Sequence, residues 1–521
     1  MKESLEYLVG MDCGTTNIKA IVLASDGTVV AEAGCPSKFL VPGHMMQEQD
    51  AEAWWHTASE IFRSLTEQIG PAATERIRAI CVSSHTVSML AVDKDGTPLR
   101  PAITYQDTRS ARELEEILNT VGREKFVRIV GGQPSVAFLP NKLLWYKRAE
   151  PENFEKTAAF LQASSFINFK LTGVLSTDID QALRTQCMEM ETETWSKEIG
   201  AVLGMDLDAL LPPVRQVTDI IGEVTRSAAA ETGLKPGTPV LAGCSDALAA
   251  MAATGMCRLG EAGESSGTTS LVFVGSQTRS APTAPVVTRP STIPGVPWLF
   301  DAPIQASGAS IKWLIDNLAH EERTTAEQRG VNVYDYLNEL ALDAVPGCHG
   351  LFFFPYLLGE RAPLWNNYAR GMFIGMRMDT LRSEWVRSVF EGTAYALRHV
   401  IETVRSDGGQ ADMLRICGGG AKSPTWNKIK ASMLNIPIYV LSAGSGDVPV
   451  GDALIAGNRA GVFPDLVEIT GKVVRVAEVV EPDPKWVRAY DELYPYYIEM
   501  YRHLDGDLKR LQQTLRGLYP M

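Results

Sequence analysis

Residues 7–32 read YLVGMDCGTTNIKAIVLASDGTVVAE, and this stretch decides the fold. Apolar runs flank the polar segment Asp12-Cys13-Gly14-Thr15-Thr16, and an Asp-Gly turn typical of a β-hairpin follows. The pattern predicts three short strands, of which the polar segment joins the first two. Its glycine lets a ligand approach the backbone closely, and its two threonine hydroxyls and nearby N–H groups suit phosphate oxygens.

The aspartate of this loop points to a metal ion. Asp12 would repel a phosphate group directly, so its useful role is to hold a hydrated Mg²⁺ that bridges to the phosphates. An ordinary hairpin with a polar tip would contain the same residue types. The first loop alone therefore favours phosphate binding only modestly.

The same loop recurs in the second half of the chain. Ser266-Gly267-Thr268-Thr269 repeats the glycine–threonine pattern and again precedes an apolar run, at 271–274. Ser265 stands where Asp12 stood, so only the first copy is acidic. The repeat predicts two duplicated α/β domains, 1–255 and 256–521, that face one Mg-nucleotide across a central cleft.

Composition limits the classes of partner. Hydrophobic residues make up 45% of the chain and charged residues 21%, as in an ordinary globular protein. The net charge of −13 argues against nucleic acid or an anionic membrane as a partner. The eight cysteines form no CxxC and the seven histidines no cluster, so neither a zinc site nor a disulfide framework is indicated.

The sequence also predicts where the protein works. The first residues run straight into the first predicted strand, so we expect no signal peptide. The longest apolar runs, at 247–253 and 351–358, are too short to span a bilayer. We expect a cytoplasmic protein with reduced cysteines.

Polar residues at strand ends are the candidate substrate contacts, because ligands are usually met there. The strand predicted at 77–82 ends at Ser83-Ser84-His85-Thr86, and a later segment closes on Asp107. His85 is as readily an ordinary loop histidine as a substrate contact.

Asp246 is the candidate general base. It follows the strand predicted at 239–243 and precedes a helix of small residues. Such an aspartate is either a helix N-cap or a base aimed into the cleft. Its place shortly before the second glycine–threonine loop favours the base.

A further glycine segment suits a nucleoside. Gly418-Gly419-Gly420 follows a strand and precedes Ser423-Pro424, a good helix start, and an earlier segment, Ser307-Gly308-Ala309-Ser310, also opens a helix. Backbone without side chains lets a base or ribose approach, and the helix N-terminus points at the site. The proline- and threonine-rich residues 281–297 are predicted to form a loop.

These segments together resemble the FGGY family of carbohydrate kinases, whose fold is two actin-like (ribonuclease H-like) ATPase domains around a central cleft. The resemblance covers nearly the whole chain and rests on motifs at 12–16, 105–109, 267–269, 356–363, 371–391 and 418–420. It implies that ATP, with Mg²⁺, phosphorylates a hydroxyl of a small sugar, polyol or sugar acid.

The resemblance also implies roles by position. Asp12 would assist Mg²⁺, and Asp246 would take the proton of the substrate hydroxyl. The nucleotide would be bound by Gly14, Thr15, Thr16, Lys19, Gly267, Thr268, Thr269, Gly308, Gly419 and Gly420. The sugar would be bound by Ser84, His85, Thr86, Asp107 and Asp246.

The sugar-binding positions depart from the family pattern. Thr86-Val87 stands where xylulokinases have Met-His and glycerol kinase has Arg-Glu, and Ala247 replaces the usual Asn, Gln or Gly. Residues 359–366, GERAPLWN, resemble gluconokinases as well as xylulokinases. The matched sugar positions include no Arg or Lys, which a carboxylate would require. We therefore expect a neutral ketose or polyol of about four to six carbons, most of all a pentulose such as xylulose, rather than gluconate, unless Arg361 points inward.

Three other interpretations compete. A kinase of another fold is disfavoured because the chain has no GxxxxGK[ST] and no His-Arg-Asp motif. An actin-like chaperone or filament ATPase would have no use for Asp246. A non-catalytic sugar-sensing regulator would not need to retain Asp12. The expected partners are a small sugar and ATP, without nucleic acid or membrane, and the oligomeric state stays open, with a homodimer as one alternative.

Overall fold

The computed structural model describes residues 5–43 and 45–518, and each half of the chain is built on one seven-stranded sheet. The strands of the first half are β1 (Tyr7–Cys13), β2 (Asn17–Ala24), β3 (Val29–Pro36), β4 (Glu48–Gln49), β5 (Ile77–Ser84), β6 (Leu90–Val92), β7 (Ala102–Ile103), β8 (Ala159–Leu161), β9 (Thr177–Asp178), β10 (Met188–Glu189), β11 (Thr194–Trp195), β12 (Val214–Arg215), β13 (Ile220–Glu223), β14 (Pro239–Leu241) and β15 (Cys244–Ser245). The helices of the first half are α1 (Ala51–Ile69), α2 (Pro71–Thr74), α3 (Ala111–Val121), α4 (Arg123–Val130), α5 (Leu139–Ala149), α6 (Pro151–Lys156), α7 (Ala163–Thr172), α8 (Ile179–Arg184), α9 (Lys197–Leu203), α10 (Leu207–Leu210), α11 (Arg226–Thr232) and α12 (Asp246–Ala253).

The second half continues the alternation of strands and helices. Its strands are β16 (Gly260–Ser266), β17 (Ser270–Ser276), β18 (Thr288–Ile293), β19 (Val296–Ile304), β20 (Phe352–Phe354), β21 (Met372–Ile374), β22 (Ala411–Cys417), β23 (Ile438–Leu441) and β24 (Val476–Val480). Its helices are α13 (Gly308–Asn317), α14 (His320–Arg329), α15 (Val333–Leu342), α16 (Arg382–Ser406), α17 (Pro424–Leu434), α18 (Val448–Arg459), α19 (Leu466–Val473) and α20 (Pro484–Leu518). Two 3₁₀ turns lie at Cys348–Gly350 and Gly420–Lys422.

The two sheets repeat one topology. In the first, β1 pairs antiparallel with β2, β2 antiparallel with β3, and β1 parallel with β5. In the second, β16 pairs antiparallel with β17, β17 antiparallel with β19, and β16 parallel with β22. The predicted α/β fold with two similar sheets is therefore confirmed.

The strand β1 is buried on both faces, which explains its nearly continuous apolar sequence. Leu8 belongs to the core on one side of the sheet, whereas Val9 and Met11 belong to the core on the other. Helix α1 covers one face and begins after its N-cap Asp50, whose side chain accepts a hydrogen bond from the Glu52 N–H.

Two helices join the halves. Helix α18, from the second half, packs against α12 and directly on β1. A Cβ atom on Gly451 would lie 1.9 Å from the carbonyl oxygen of Ala249, and one on Gly10 would lie 2.0 Å from that of Pro449. Only glycine permits these approaches, which bring the start of α18 to the end of β1 that carries Asp12.

The loop predicted at 281–297 is wrong in part, because β18 occupies Thr288–Ile293. This strand forms the edge of the second sheet and pairs with β19, with Pro290 opposite Trp298. A proline interrupts a central strand but is tolerated at an edge, where its missing N–H is not needed. The proline- and threonine-rich composition therefore predicted a loop where the structure has β18, the strand that carries Arg289. None of the described helices is long and apolar enough to cross a membrane.

Candidate active site

Asp12 lies near the end of β1, where the sheet meets the first glycine–threonine loop. Its Oδ1 atom is buried and has no hydrogen-bond partner. Burial raises the pKa of Asp12 well above its usual range, the nearby carboxylates of Asp246 and Asp447 raise it further, and Lys19 opposes them. An unpaired carboxylate oxygen among other negative charges is suited to a bound cation.

Asp246 is the first residue of α12 and directly follows β15. The N-cap of this helix is Ser245, whose side chain accepts from the Leu248 N–H, so the alternative that Asp246 is only a cap is wrong. Its own Oδ1 accepts from the Ala247 N–H at 2.7 Å. Burial raises the pKa of Asp246 to about 6, although Arg184 opposes the shift.

Arg184 joins the two halves of the chain near Asp246. Its Nε donates to Asp180 Oδ1 at 2.9 Å, and its Nη1 pairs with Asp301 of the second half. Asp180 also accepts from the backbone N–H of Ser245 at 3.1 Å. No sequence motif had indicated these three charged residues. The one local signal was the spacing of Asp180 and Arg184, four residues apart on one helix face.

The end of β5 lies beside the ends of β1 and β15 and carries Ser84, followed by His85 and Thr86. These three side chains differ in whether their polar atoms already have hydrogen-bond partners. The Ser84 hydroxyl is occupied by Gln181 and Ser164. His85 Nδ1 lies 3.0 Å from the Cys13 carbonyl oxygen, while its buried Nε2 and the Thr86 hydroxyl have no partner. Burial lowers the pKa of His85 to about 4, so the ring is neutral and its Nε2 can accept from a hydroxyl.

Asp107 uses both carboxylate oxygens within the protein. Oδ2 accepts from the Gln47 N–H at 2.7 Å, and Oδ1 accepts from the Arg109 N–H at 3.0 Å. The Arg109 guanidinium then bridges Asp107 and Glu48. Asp107 thereby fastens the segment before β4 to the loop after β7, and its contact with sugar stays a prediction.

The first loop carries exposed groups beside Asp12. The backbone carbonyl of Thr15 accepts from Gln49, and that of Thr16 accepts from the Ser37 N–H at 2.8 Å. Lys19 Nζ lies 3.4 Å from Asp447 Oδ1, at the start of α18. The hairpin is thus held by its backbone, while Thr16 and Lys19 keep exposed side chains.

The glycine segments of the second half converge on the second glycine–threonine loop. The Gly308 N–H donates to the Gly267 carbonyl and the Ala309 N–H to that of Thr268, both at 3.0 Å. A Cβ atom on Gly308 would lie 2.4 Å from the Gly267 carbonyl oxygen, and one on Gly420 would lie 2.2 Å from Ser266 Oγ. Gly419 has open space around it, and Thr269 closes the loop by accepting from the Gly267 N–H.

A buried ion pair supports this convergence from behind. Lys430 Nζ lies 2.8 and 2.9 Å from the two carboxylate oxygens of Glu264, which also accepts from Ser270 Oγ. The hydroxyl of Ser307, directly before α13, lies 2.8 Å from Ser270 Oγ, which accepts its hydrogen bond. The pair therefore ties β16, β17, the middle of α17 and the start of α13 together, and no sequence motif had indicated it.

The metal prediction is compatible with these contacts. Within residues 5–43 and 45–518, no three His, Cys, Asp or Glu side chains form a cluster that would hold a metal by themselves. Mg²⁺ beside a nucleotide usually takes one or two carboxylates and completes its shell with water and phosphate oxygens. The unpaired oxygen of Asp12 fits that mode of binding.

Family models match both halves of the chain. Residues 7–253 match the N-terminal domain of the FGGY family of carbohydrate kinases, and residues 264–460 match its C-terminal domain. A xylulose kinase of Bacillus subtilis is 28% identical over 500 residues, which cover 96% of this chain and 97% of that protein. A gluconokinase of the same organism is 26% identical and covers 98% of this chain and 99% of that protein.

Solved structures agree with the family models. A gluconate kinase from Lactobacillus acidophilus superposes with a TM-score of 0.87 at 25% identity, covering 98% of this chain and all of that one. A xylulose kinase from Rhodospirillum rubrum gives the same TM-score at 28% identity, covering 97% of this chain and all of that one. The chain therefore belongs to the FGGY family of carbohydrate kinases and is an ATP-dependent sugar phosphotransferase.

Proposed function

We propose that this kinase transfers the γ-phosphoryl group of ATP to a hydroxyl of a small sugar, with Asp246 as the general base. The observation that carries the proposal is the state of this carboxylate, which is free of the capping role and has a pKa of about 6. At neutral pH it is mostly ionised, and its raised pKa makes it a better proton acceptor than an ordinary aspartate.

Mg²⁺ would be held by Asp12 and would neutralise charge on the transferring phosphates. The support is the buried Oδ1 atom, which lacks any other partner. The nucleotide phosphates would contact Gly14, Thr15, Thr16 and Lys19 on one side, and Gly267, Thr268 and Thr269 on the other. The open backbone at Gly308, Gly419 and Gly420 would accept the nucleoside.

The sugar would be bound by polar groups that have no hydrogen-bond partner within the protein. His85 Nε2 and the Thr86 hydroxyl qualify, because both are buried without a partner in the described structure. Ser84 and Asp107 would act mainly by holding the wall of the pocket, since their oxygens are already engaged.

Two acceptor classes compete at this site. A neutral pentulose such as xylulose is supported by the relatives named xylulose kinase. The expectation of a neutral acceptor rested on the absence of Arg and Lys from the matched sugar positions, but the charge of Arg184 acts on Asp246 from outside those positions. Arg361 also lies close enough to Asp301 for their charges to attract. These arginines, with the relatives named gluconokinase, support a sugar acid as the second candidate.

The test is ADP release with and without sugars, measured in a coupled assay over xylulose, ribulose, erythrulose, glycerol, erythritol and gluconate. We expect ADP release to depend on one of these acceptors. Equal ADP release with and without every sugar would contradict the proposal and would favour the chaperone-like or regulatory interpretations.

A further inference from the structure

A buried arginine near the proposed base has no partner among the described residues. Arg289, on the edge strand β18, has a buried Nη1 atom, and no hydrogen bond or ion pair of its guanidinium occurs among residues 5–43 and 45–518. Burying an unpaired guanidinium is costly. Its presence therefore points to a ligand that supplies the missing acceptors.

The position of Arg289 ties it to the proposed base. A Cβ atom on Gly132 would lie 3.7 Å from Arg289 Nη2, so the guanidinium of the second half reaches the turn after α4 in the first. Burial lowers the pKa of Arg289 to about 10, Arg184 lowers it further, and Asp301 opposes them. Strand β18, which carries Arg289, packs directly against α8, the helix that ends at Arg184 and carries Asp180. Arg289 therefore lies beside the ion-paired cluster of Asp180, Arg184 and Asp301.

A second arginine of the cluster is also unsatisfied. Arg279 has its guanidinium carbon 5.1 Å from the centroid of the Trp298 ring, and its Nη2 is buried without a hydrogen-bond partner. The carboxylates available to this cluster, Asp180 and Asp301, are already ion-paired to Arg184. The donors of Arg279 and Arg289 therefore remain open.

We propose that Arg289, assisted by Arg279, forms a carboxylate subsite in the acceptor cleft, so that the substrate is a sugar acid rather than a neutral ketose. This inference rests on the proposed sugar kinase function. A planar guanidinium fork matches a carboxylate and binds it through two parallel hydrogen bonds. A neutral sugar would leave the buried N–H donors of Arg279 and Arg289 poorly paired. A site with unpaired buried donors discriminates strongly against a substrate that lacks the matching acceptor.

The experiment compares acceptors that differ only in the anionic group. Gluconate and glucitol share a carbon skeleton and differ by a carboxylate in place of a hydroxymethyl group, and five-carbon aldonates have matching pentitols. We expect kcat/KM to be at least about tenfold higher for an aldonate than for its polyol. Arg289→Gln should lower kcat/KM for the aldonate about ten- to a hundredfold and leave the polyol nearly unchanged.

Two variants control for charge and for fold. Arg289→Lys keeps the charge but loses the fork, so its aldonate kcat/KM should fall between those of the wild type and Arg289→Gln. Arg488→Gln removes an exposed arginine of α20, whose ion pair to Glu492 lies on the surface. It should leave kcat/KM unchanged for both the aldonate and the polyol. Thermal unfolding of each variant separates loss of binding from loss of fold.

The outcomes separate this inference from the proposed function. The carboxylate subsite is wrong, while the sugar kinase proposal stands, in either of two cases. In the first, kcat/KM is higher for a neutral ketose than for every aldonate. In the second, Arg289→Gln lowers kcat/KM equally for the aldonate and its polyol. If no sugar is phosphorylated, the sugar kinase proposal fails, but calorimetry of aldonate binding still tests the subsite. In that case the subsite stands only if the wild type binds the aldonate and Arg289→Gln abolishes this binding. Tighter Arg289-dependent binding of a sugar phosphate than of any aldonate would overturn the carboxylate assignment.

Discussion

Asp246 is the residue whose ionisation should control turnover. A base must be deprotonated to accept a proton, and its pKa of about 6 lies above that of an ordinary aspartate. We therefore expect kcat/KM to be constant above about pH 7 and to fall as the pH drops through about 6. Asp246→Asn should lower kcat about a hundred- to ten-thousandfold without weakening ATP binding. Steady-state kinetics from pH 5 to 9 would measure both effects, and near-normal turnover of the variant would refute the assignment.

Asp12 should act through the metal and not through direct contact with the nucleotide. Its orphaned Oδ1 atom lies among carboxylates, which would repel a phosphate but attract Mg²⁺. Asp12→Ala should weaken the binding of Mg-ATP much more than that of metal-free ADP. Calorimetric titration of both ligands measures the difference, and equal losses with and without Mg²⁺ would count against a metal role.

At the scale of elements, the junction between α13 and the β16–β17 hairpin should be intolerant of a single methyl group. A Cβ atom on Gly308 would lie 2.4 Å from the backbone oxygen of Gly267, which moves only with the turn of the hairpin. Gly308→Ala should cost about 1–3 kcal/mol of stability and raise the KM for ATP. Gly471→Ala in α19, where no atom lies within 4 Å, is the control and should leave both unchanged or slightly raise stability. Urea unfolding and ATP kinetics would test this, and a fully stable Gly308→Ala enzyme with normal ATP use would disprove it.

At the scale of the whole molecule, the halves should close around both substrates. They already meet through α12 and α18 and through the ion pair of Arg184 with Asp301, which spans the cleft. Closure excludes water from the transferring phosphoryl group. Small-angle scattering should show a smaller radius of gyration with sugar and nucleotide together than with either alone. An unchanged radius at saturating ligand would argue for a rigid cleft.

Local patterns were enough to predict much of the fold. The duplicated hairpins and the helix at Gly308 followed from strand alternation and turn residues, which act within a few residues. The family and the place of Asp12 near the end of β1 followed from the same motifs. The domain boundary at 255/256 and the individual roles of the site residues stay predictions.

Tertiary structure alone decided which charges surround Asp246. Arg184 and Asp301 lie 117 residues apart in sequence, and their contact exists because the two sheets dock across the cleft. Arg289 was hidden for a second reason, since its strand has the proline-rich composition of a loop and forms only as the edge of a finished sheet. Local periodicity encodes which face of a strand is buried, but no local pattern encodes which distant side chain will face it. The sequence by itself therefore determined that the chain is a sugar kinase, whereas the charge of its acceptor pocket depends on how the halves pack.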